Sequence, residues 1–250
     1  MTMYDKFKQE CTSEVAIQGA DTLLRDASRE WMDRANARKY SYHFEWLGRP
    51  VIQYPQDMIA LQEIIWAVQP DLIFETGIAH GGSLIFSASM LELNAACGGP
   101  PDAEVLGLDI DIRAHNREEI EKHPMFKRIT MIEGSSIDDR VAARVHEFAG
   151  NMKRVLVILD SNHTHAHVMR ELELYSSLVK AGSYLIVFDT VIEDMPEDAF
   201  PDRPWGKGDN PKTAVWEFLR ANDRFEIDRE IQDKLLLTVA PDGFLKCLKD

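Results

Sequence analysis

The 250-residue chain carries only three cysteines, Cys11, Cys97 and Cys247. They are far apart, odd in number and form no CxxC pair. A disulfide framework or a structural zinc site is therefore not expected, and a reducing compartment fits. No basic run of useful length appears, and the formal net charge is -14. Such a surface repels phosphate backbones and anionic lipid, which argues against nucleic acid or membrane partners. The longest apolar runs, such as VLVIL, are far too short to cross a bilayer. The opening MTMYDKFKQE lacks the apolar segment of a signal peptide, so a cytoplasmic location is expected. Repeats and low-complexity tracts are also absent.

What is present is enough apolar sequence, 45% of residues, to build the core of one large α/β domain. Residues 13–40 read as one or two polar amphipathic helices. The aromatic segment SYHFEWLGRPVIQYP follows, either as a cover over the sheet or as a substrate wall built from His43, Phe44 and Trp46. From Pro55 the pattern alternates. A helix with Met58, Leu61, Ile64, Ile65 and Val68 on one face is stopped by Pro70. Buried strands DLIFET, AEVLGLDI, RITMIEG, VLVILD and YLIVFD then alternate with helices. RFEIDRE and KLLLTVA–PDGFLKCL read as edge strands or a terminal antiparallel hairpin. This is the pattern of a Rossmann-like, mostly parallel, doubly wound sheet. Two regions are expected: an N-terminal helical cap and substrate-side segment over 1–54, and a cofactor-binding catalytic domain over 55–250. An acidic loop over 190–210, rich in proline, is long enough to act as a lid.

Ligands of such sheets sit beyond the carboxyl ends of the strands. The polar residues at those exits are Glu75, Asp109, Glu133, Asp160 and Asp189, all expected to face one crevice. The first exit reads FETGIAHGGS. Gly77 and Gly81 allow tight turns or close approach, and Ser83 opens a helix. The spacing departs from GxGxxG, and the Glu75 carboxylate would repel a diphosphate. It suits instead the cationic amino-acid end of S-adenosylmethionine, unless it only caps the turn. At the second exit Asp109, or Asp111 if the strand runs longer, is placed to accept ribose hydroxyls. At the third, Gly134 and Ser135 line an adenine pocket or Ser136 caps a helix.

Asp160 and Asp189 close the next two strands. Adjacent strands would bring both carboxylates to one magnesium ion or another divalent cation. His163, one short turn beyond Asp160, is a candidate general base, because an ordinary histidine titrates near neutrality. With His165 and His167 it also permits a zinc reading, although in a helix only His163 and His167 would share a face.

The motifs FETGIAHGGS, GLDIDIRAHNR, EGSS, LDSNHTHAHV, VFDT and GDNPKTAVWEFL together resemble the cephalosporin hydroxylase-like family of S-adenosylmethionine-dependent methyltransferases, which includes macrolide and rhamnosyl sugar O-methyltransferases. A more distant similarity, through ETGIAHGGS, is to catechol O-methyltransferases. The resemblance runs from about Tyr54 to the C-terminus. It implies cofactor contacts at Glu75, Gly77, Gly81, Ser83 and Asp109, metal binding by Asp160 and Asp189, and a base at His163. The strand-five site of that family is commonly a Glu-Asp pair. Here it reads Phe188-Asp189, which removes one carboxylate and leaves the gap to water, substrate, or a lid acid such as Glu193 or Asp194. Asn210 is expected to orient the lid.

The function expected is therefore metal-assisted O-methylation of a small molecule or a sugar-containing natural product, by a soluble homo-oligomer. A metal-dependent hydroxylase or hydrolase, and a non-catalytic cofactor-binding protein, are the alternatives.

Overall fold

The computed structural model describes all 250 residues. Two helices, α1 (Met3–Ala20) and α2 (Thr22–Asn36), lead into a short 3-10 turn and a two-stranded hairpin of β1 (Phe44–Trp46) and β2 (Arg49–Val51). The hairpin lies in the segment read as aromatic cover or wall. Tyr54 then opens α3 (Pro55–Val68), with Pro55 in the first turn, where its missing N–H costs nothing.

The alternation from α3 onward is a doubly wound sheet. In chain order it runs β3 (Leu72–Thr76), α4 (Gly82–Ala96), β4 (Glu104–Asp109), α5 (Ala114–Glu121), β5 (Ile129–Glu133), α6 (Asp139–Ala149), β6 (Val155–Leu159), α7 (His165–Tyr175) and β7 (Tyr184–Val187). It ends with α8 (Pro211–Ala221), β8 (Phe225–Ile227), α9 (Arg229–Leu235) and β9 (Phe244–Cys247). The strand order is β5-β4-β3-β6-β7-β9-β8. The first five are parallel, and β9 pairs antiparallel with both β7 and β8. Every residue of β3, β6 and β7 is buried, because helices cover both faces. One apolar cluster packs beneath α3 and α4, and another beneath α6, α7 and α8.

The two C-terminal strands pair, but KLLLTVA is not a strand. Lys234 and Leu235 end α9, and Leu236 takes a positive φ of 58°. Beyond it the chain is captured by the buried Asp57 of α3. The Asp57 carboxylate accepts from the Thr238 hydroxyl and, at 2.9 Å, from the Val239 N–H. An N–H so held cannot join a ladder.

The strand order reverses beside β3, with β4 on one side and β6 on the other. Gly77 follows β3 with φ 90°, and a Cβ there would lie 2.0 Å from the Asp160 carbonyl oxygen. This glycine therefore lets the β3 and β6 exits close on each other. Gly82 serves a second approach: a Cβ on it would lie 2.2 Å from the Pro50 carbonyl oxygen, so it seats β2 against the start of α4.

Two stability outcomes follow. Gly77→Ala combines a disfavoured φ with a backbone clash and should cost about 3 kcal/mol in denaturant unfolding. Burial pushes the Asp57 carboxyl up to about 7, against the lowering effect of its Thr238 and Val239 donors. The folded state thus holds a proton that the unfolded chain releases near pH 4, so this group's contribution falls as pH rises from about 4 to 7. Asp57→Asn removes that titration. Its thermal midpoint should fall less than the wild type's between pH 5 and 8, in parallel melts.

Candidate active site

The β6–β7 pairing sets the site. Its parallel register places Leu159 opposite Val187, and the Phe188 N–H donates to the Leu159 carbonyl at 3.0 Å. Asp160 leaves β6 at once. Phe188, at the same level on β7, turns its ring into the core. The chain then enters the left-handed region at Asp189, φ 55°, and this turn brings the second carboxylate back over the sheet edge. His163 arrives from the β6–α7 loop, where the Asn162 side chain accepts from the Thr164 N–H and hydroxyl, each at 2.9 Å. Ligand atoms of Asp160, His163 and Asp189 all lie within 4.8 Å of one another. His163 Nε2 is 3.2 Å from Asp189 Oδ2.

These three groups face a cavity of about 720 Å³ above the β3 and β6 exits. Its floor includes Gly77, Ile78 and Ser83 of the glycine turn. Its roof is the 190–210 loop, whose Phe200, Arg203 and Trp205 reach inward. The Trp205 ring meets His163 edge-on at 4.8 Å, and the Arg203 guanidinium covers the same indole at 5.1 Å. Enclosure has an electrostatic effect on Asp160. Burial, followed by the charges of Asp189 and Glu75, holds its carboxyl well above the usual carboxylate range. Acidic groups gathered this closely favour a cation among them.

The remaining strand-exit residues divide. Glu75 is buried behind Ser83, whose hydroxyl donates to Oε1, while Oε2 has no partner. Burial pushes this carboxyl up to about 7, the Ser83 hydroxyl opposing the shift. An orphaned carboxylate oxygen beneath the glycine turn fits a ligand that brings a cationic donor. Asp109 sits where the second strand ends, but its Oδ2 accepts from the Ile78 N–H at 2.7 Å and the Ala79 N–H at 3.3 Å. It therefore clamps the glycine turn from the neighbouring strand. Glu133 corrects the expectation that every exit acid shares the crevice: it is exposed and paired with Arg117 at 2.8 Å. Gly81 packs against Ile120 rather than lining the cavity, and Ser135 lies off the same wall. Ser136 does not cap α6. Asp138 does, accepting from the Arg140 and Val141 N–H groups, while Ser136 Oγ lies 2.9 Å from His167 Nε2.

The histidine cluster separates. His165 Nδ1 lies 2.8 Å from the Thr213 hydroxyl, and its Nε2 is 3.1 Å from Glu217. His167 contacts Ser136, Ser161 and Glu171. Only His163 reaches the aspartates, so the three-histidine zinc arrangement does not form and neither partner histidine is a plain surface residue.

Two further expectations change. Glu193 and Asp194 do not fill the gap opposite Phe188. Glu193 accepts from the Gly208 N–H at 2.8 Å and from Asn210 Nδ2, and Asp194 pairs with the buried Lys212 at 2.5 Å. These contacts tie the loop to α8. Asn210, fully buried, caps that helix and donates to the Gly206 carbonyl as well. Trp46 and Phe44 are core contacts: Trp46 stacks edge-on with Phe86 and donates to Ser89 Oγ at 2.9 Å. The N-terminal wall consists instead of Asn36, Lys39, Tyr42 and Pro50–Gln53. Gln53 is buried, and its Nε2 donates to Asp160 Oδ2 at 3.1 Å. The residues gave no signal for Gln53 beyond its place in the aromatic segment, since the contact joins positions 107 apart.

The comparisons place this architecture. A family model described as rhamnosyl O-methyltransferase/CmcI matches residues 38–248. The chain is 32% identical over 200 residues to a rhamnosyl O-methyltransferase of Mycobacterium tuberculosis strain H37Rv, covering 76% of this chain and 72% of the relative. It is 28% identical to the Mycobacterium leprae protein of the same name, covering 80% and 81%. Among solved structures, an apo form of CmcI superposes with a TM-score of 0.57 at 20% identity, over 84% of this chain and 78% of that one. A putative O-methyltransferase from Klebsiella pneumoniae gives 0.51 at 17% identity, over 89% and 90%. The structural likenesses speak for the fold, and the sequence match for kinship: this chain belongs to the rhamnosyl O-methyltransferase/CmcI family.

Proposed function

We propose that the chain is an S-adenosylmethionine-dependent O-methyltransferase, assisted by a divalent cation, that acts on a hydroxyl of a sugar or a sugar-bearing natural product. The observation that carries the reading is the meeting of Asp160, His163 and Asp189 in one cavity with the glycine turn. The two carboxylates suit magnesium or manganese, and the imidazole beside them suits a general base. The kinship with rhamnosyl O-methyltransferases supports the acceptor class.

Glu75, through its free Oε2, and Ser83 would hold the amino-acid end of the cofactor above Gly77. Asp109 keeps outer lone pairs for the ribose while it secures the turn. Ser135 remains the candidate at the adenine side, and Gly81 acts only through the shape of the turn. Bound S-adenosylmethionine supplies an electrophilic methyl group, and a cation at Asp160 and Asp189 supplies positive charge that lowers the pKa of a hydroxyl. His163 takes the hydroxyl proton at the ring nitrogen that Asp189 leaves free, while Asp189 Oδ2, 3.2 Å from Nε2, orients the ring and stabilises the imidazolium. Trp205 presses on the imidazole edge and, with Phe200, excludes water from the reacting oxygen. Tyr42, Lys39 and Arg203 line the outer cavity, where a sugar ring finds one aromatic face and several donors.

No helix of the chain is long and apolar enough to cross a membrane. The small-molecule acceptor agrees with a cavity of this size.

The test is methyl transfer to rhamnosylated and other glycosylated acceptors, read as a product heavier by one methylene group. His163→Ala and Asp160→Ala should each lower kcat by about 100-fold or more while leaving S-adenosylhomocysteine affinity within about threefold. Chelation of divalent ions should produce a comparable loss, restored by added magnesium or manganese. Full activity in both variants would overturn the assignment.

A further inference from the structure

Gln53 is a polar side chain that meets Asp160 from the N-terminal part of the chain. Its residue is 6% exposed, it lines the active-site cavity, and one end of its amide lies 3.1 Å from Asp160 Oδ2. The other amide atom, Oε1, is buried and has no hydrogen-bond partner. An amide whose oxygen holds no partner gives up no hydrogen bond on that side when it turns, so the terminal group can reverse end for end beside Asp160.

The segment bearing Gln53 is held from both sides. Pro50 lies against Gly82 at the start of α4, in space that a Cβ would fill. The Tyr54 ring packs edge-on with Trp31 and Tyr40, and its hydroxyl donates to Asn36 Oδ1 at 2.5 Å. Such a grip fixes the backbone and leaves the terminal amide torsion soft, since that torsion is broad and nearly two-fold.

Resting on the metal-assisted reading above, we infer that Gln53 is a protein ligand of the cation, supplying a neutral side-chain amide oxygen beside Asp160 and Asp189. Turning the amide end for end places Oε1 where Nε2 now stands. Neighbouring oxygens on an octahedral cation with bonds of about 2.1 Å stand about 3 Å apart, which matches the separation from Asp160 Oδ2. Amide carbonyls are regular donors to hard cations. Two carboxylates and one amide balance a double positive charge. The third oxygen also frees His163 from ligation, so that its imidazole remains available for the proton. Phe188 cannot serve, because a phenyl ring offers no oxygen donor, and it packs in the core instead.

The sign of one substitution separates this from mere orientation of Asp160. Gln53→Glu loses the N–H donor, so an orienting role predicts weaker cation binding. A ligand role predicts tighter binding, since charge count on the ligands tunes affinity. The probe is Mn²⁺ alone, titrated into the full-length chain and followed by electron paramagnetic resonance, with S-adenosylhomocysteine affinity and thermal melts recorded in parallel. Gln53→Glu should tighten Mn²⁺ by about tenfold and Gln53→Leu should weaken it by about tenfold. Asp160→Asn should weaken it at least as much, with nucleoside affinity unchanged in all three. Weaker or unaltered Mn²⁺ binding by a folded Gln53→Glu protein would overturn the inference while leaving the methyltransferase reading intact. A wild-type chain that binds the nucleoside but no Mn²⁺ would refute both the metal reading and the ligand role.

Discussion

The parallel pairing of β6 with β7 governs the site. It sets Leu159 level with Val187, so two carboxylates emerge at one edge from strands whose own residues are wholly buried. Adjacent strands are separated by about 4.8 Å, close enough for the Asp160 and Asp189 carboxylates to lie, with His163, within 4.8 Å of one another. Like charges so close are unfavourable unless protonated or bridged by a cation, and the Asp160 carboxyl is raised by its burial first and by the charges of Asp189 and Glu75 after it. Gly77 is the second half of the same constraint. Any side chain there would strike the Asp160 backbone, so the glycine turn and the acidic exit stay in contact only because the residue is glycine.

Around this edge the chain spends its polar side chains on holding loops in place. Asp109 grips the glycine turn through two N–H groups. Asn210 and Lys212 anchor the roof loop by engaging Glu193 and Asp194. Asp57 pins the segment before β9, whose Val239 carbonyl in turn accepts from the Val191 N–H at the start of the roof. Glu193 and Asp194, carboxylates close in sequence to Asp189, are thereby committed to holding the roof.

Much of this was legible in the residues. The strands DLIFET, VLVILD and YLIVFD are fully apolar before an acid, and a run of that kind between helices has few alternatives in a parallel sheet. The convergence of Asp160, His163 and Asp189 follows once adjacency is granted. What escaped depends on contacts between distant positions. Glu133 looks like its fellow exit acids until Arg117 draws it to the surface. KLLLTVA has the composition of a strand, yet Asp57, about 180 residues earlier, takes the N–H it would need. Trp46 and Phe44 carry the aromatic signal of a binding wall but fill space over α4, while the less conspicuous Gln53 and Tyr42 reach the cavity.

In this reading one crevice holds the methyl donor, the cation and the proton acceptor together. Anomalous diffraction from crystals grown with S-adenosylhomocysteine and manganese tests it most directly. A manganese peak is expected between the Asp160 and Asp189 carboxylates, with a nucleoside sulfur above Gly77, facing His163 across the reacting position. A peak lodged away from both aspartates, or a nucleoside bound outside this crevice, would contradict it.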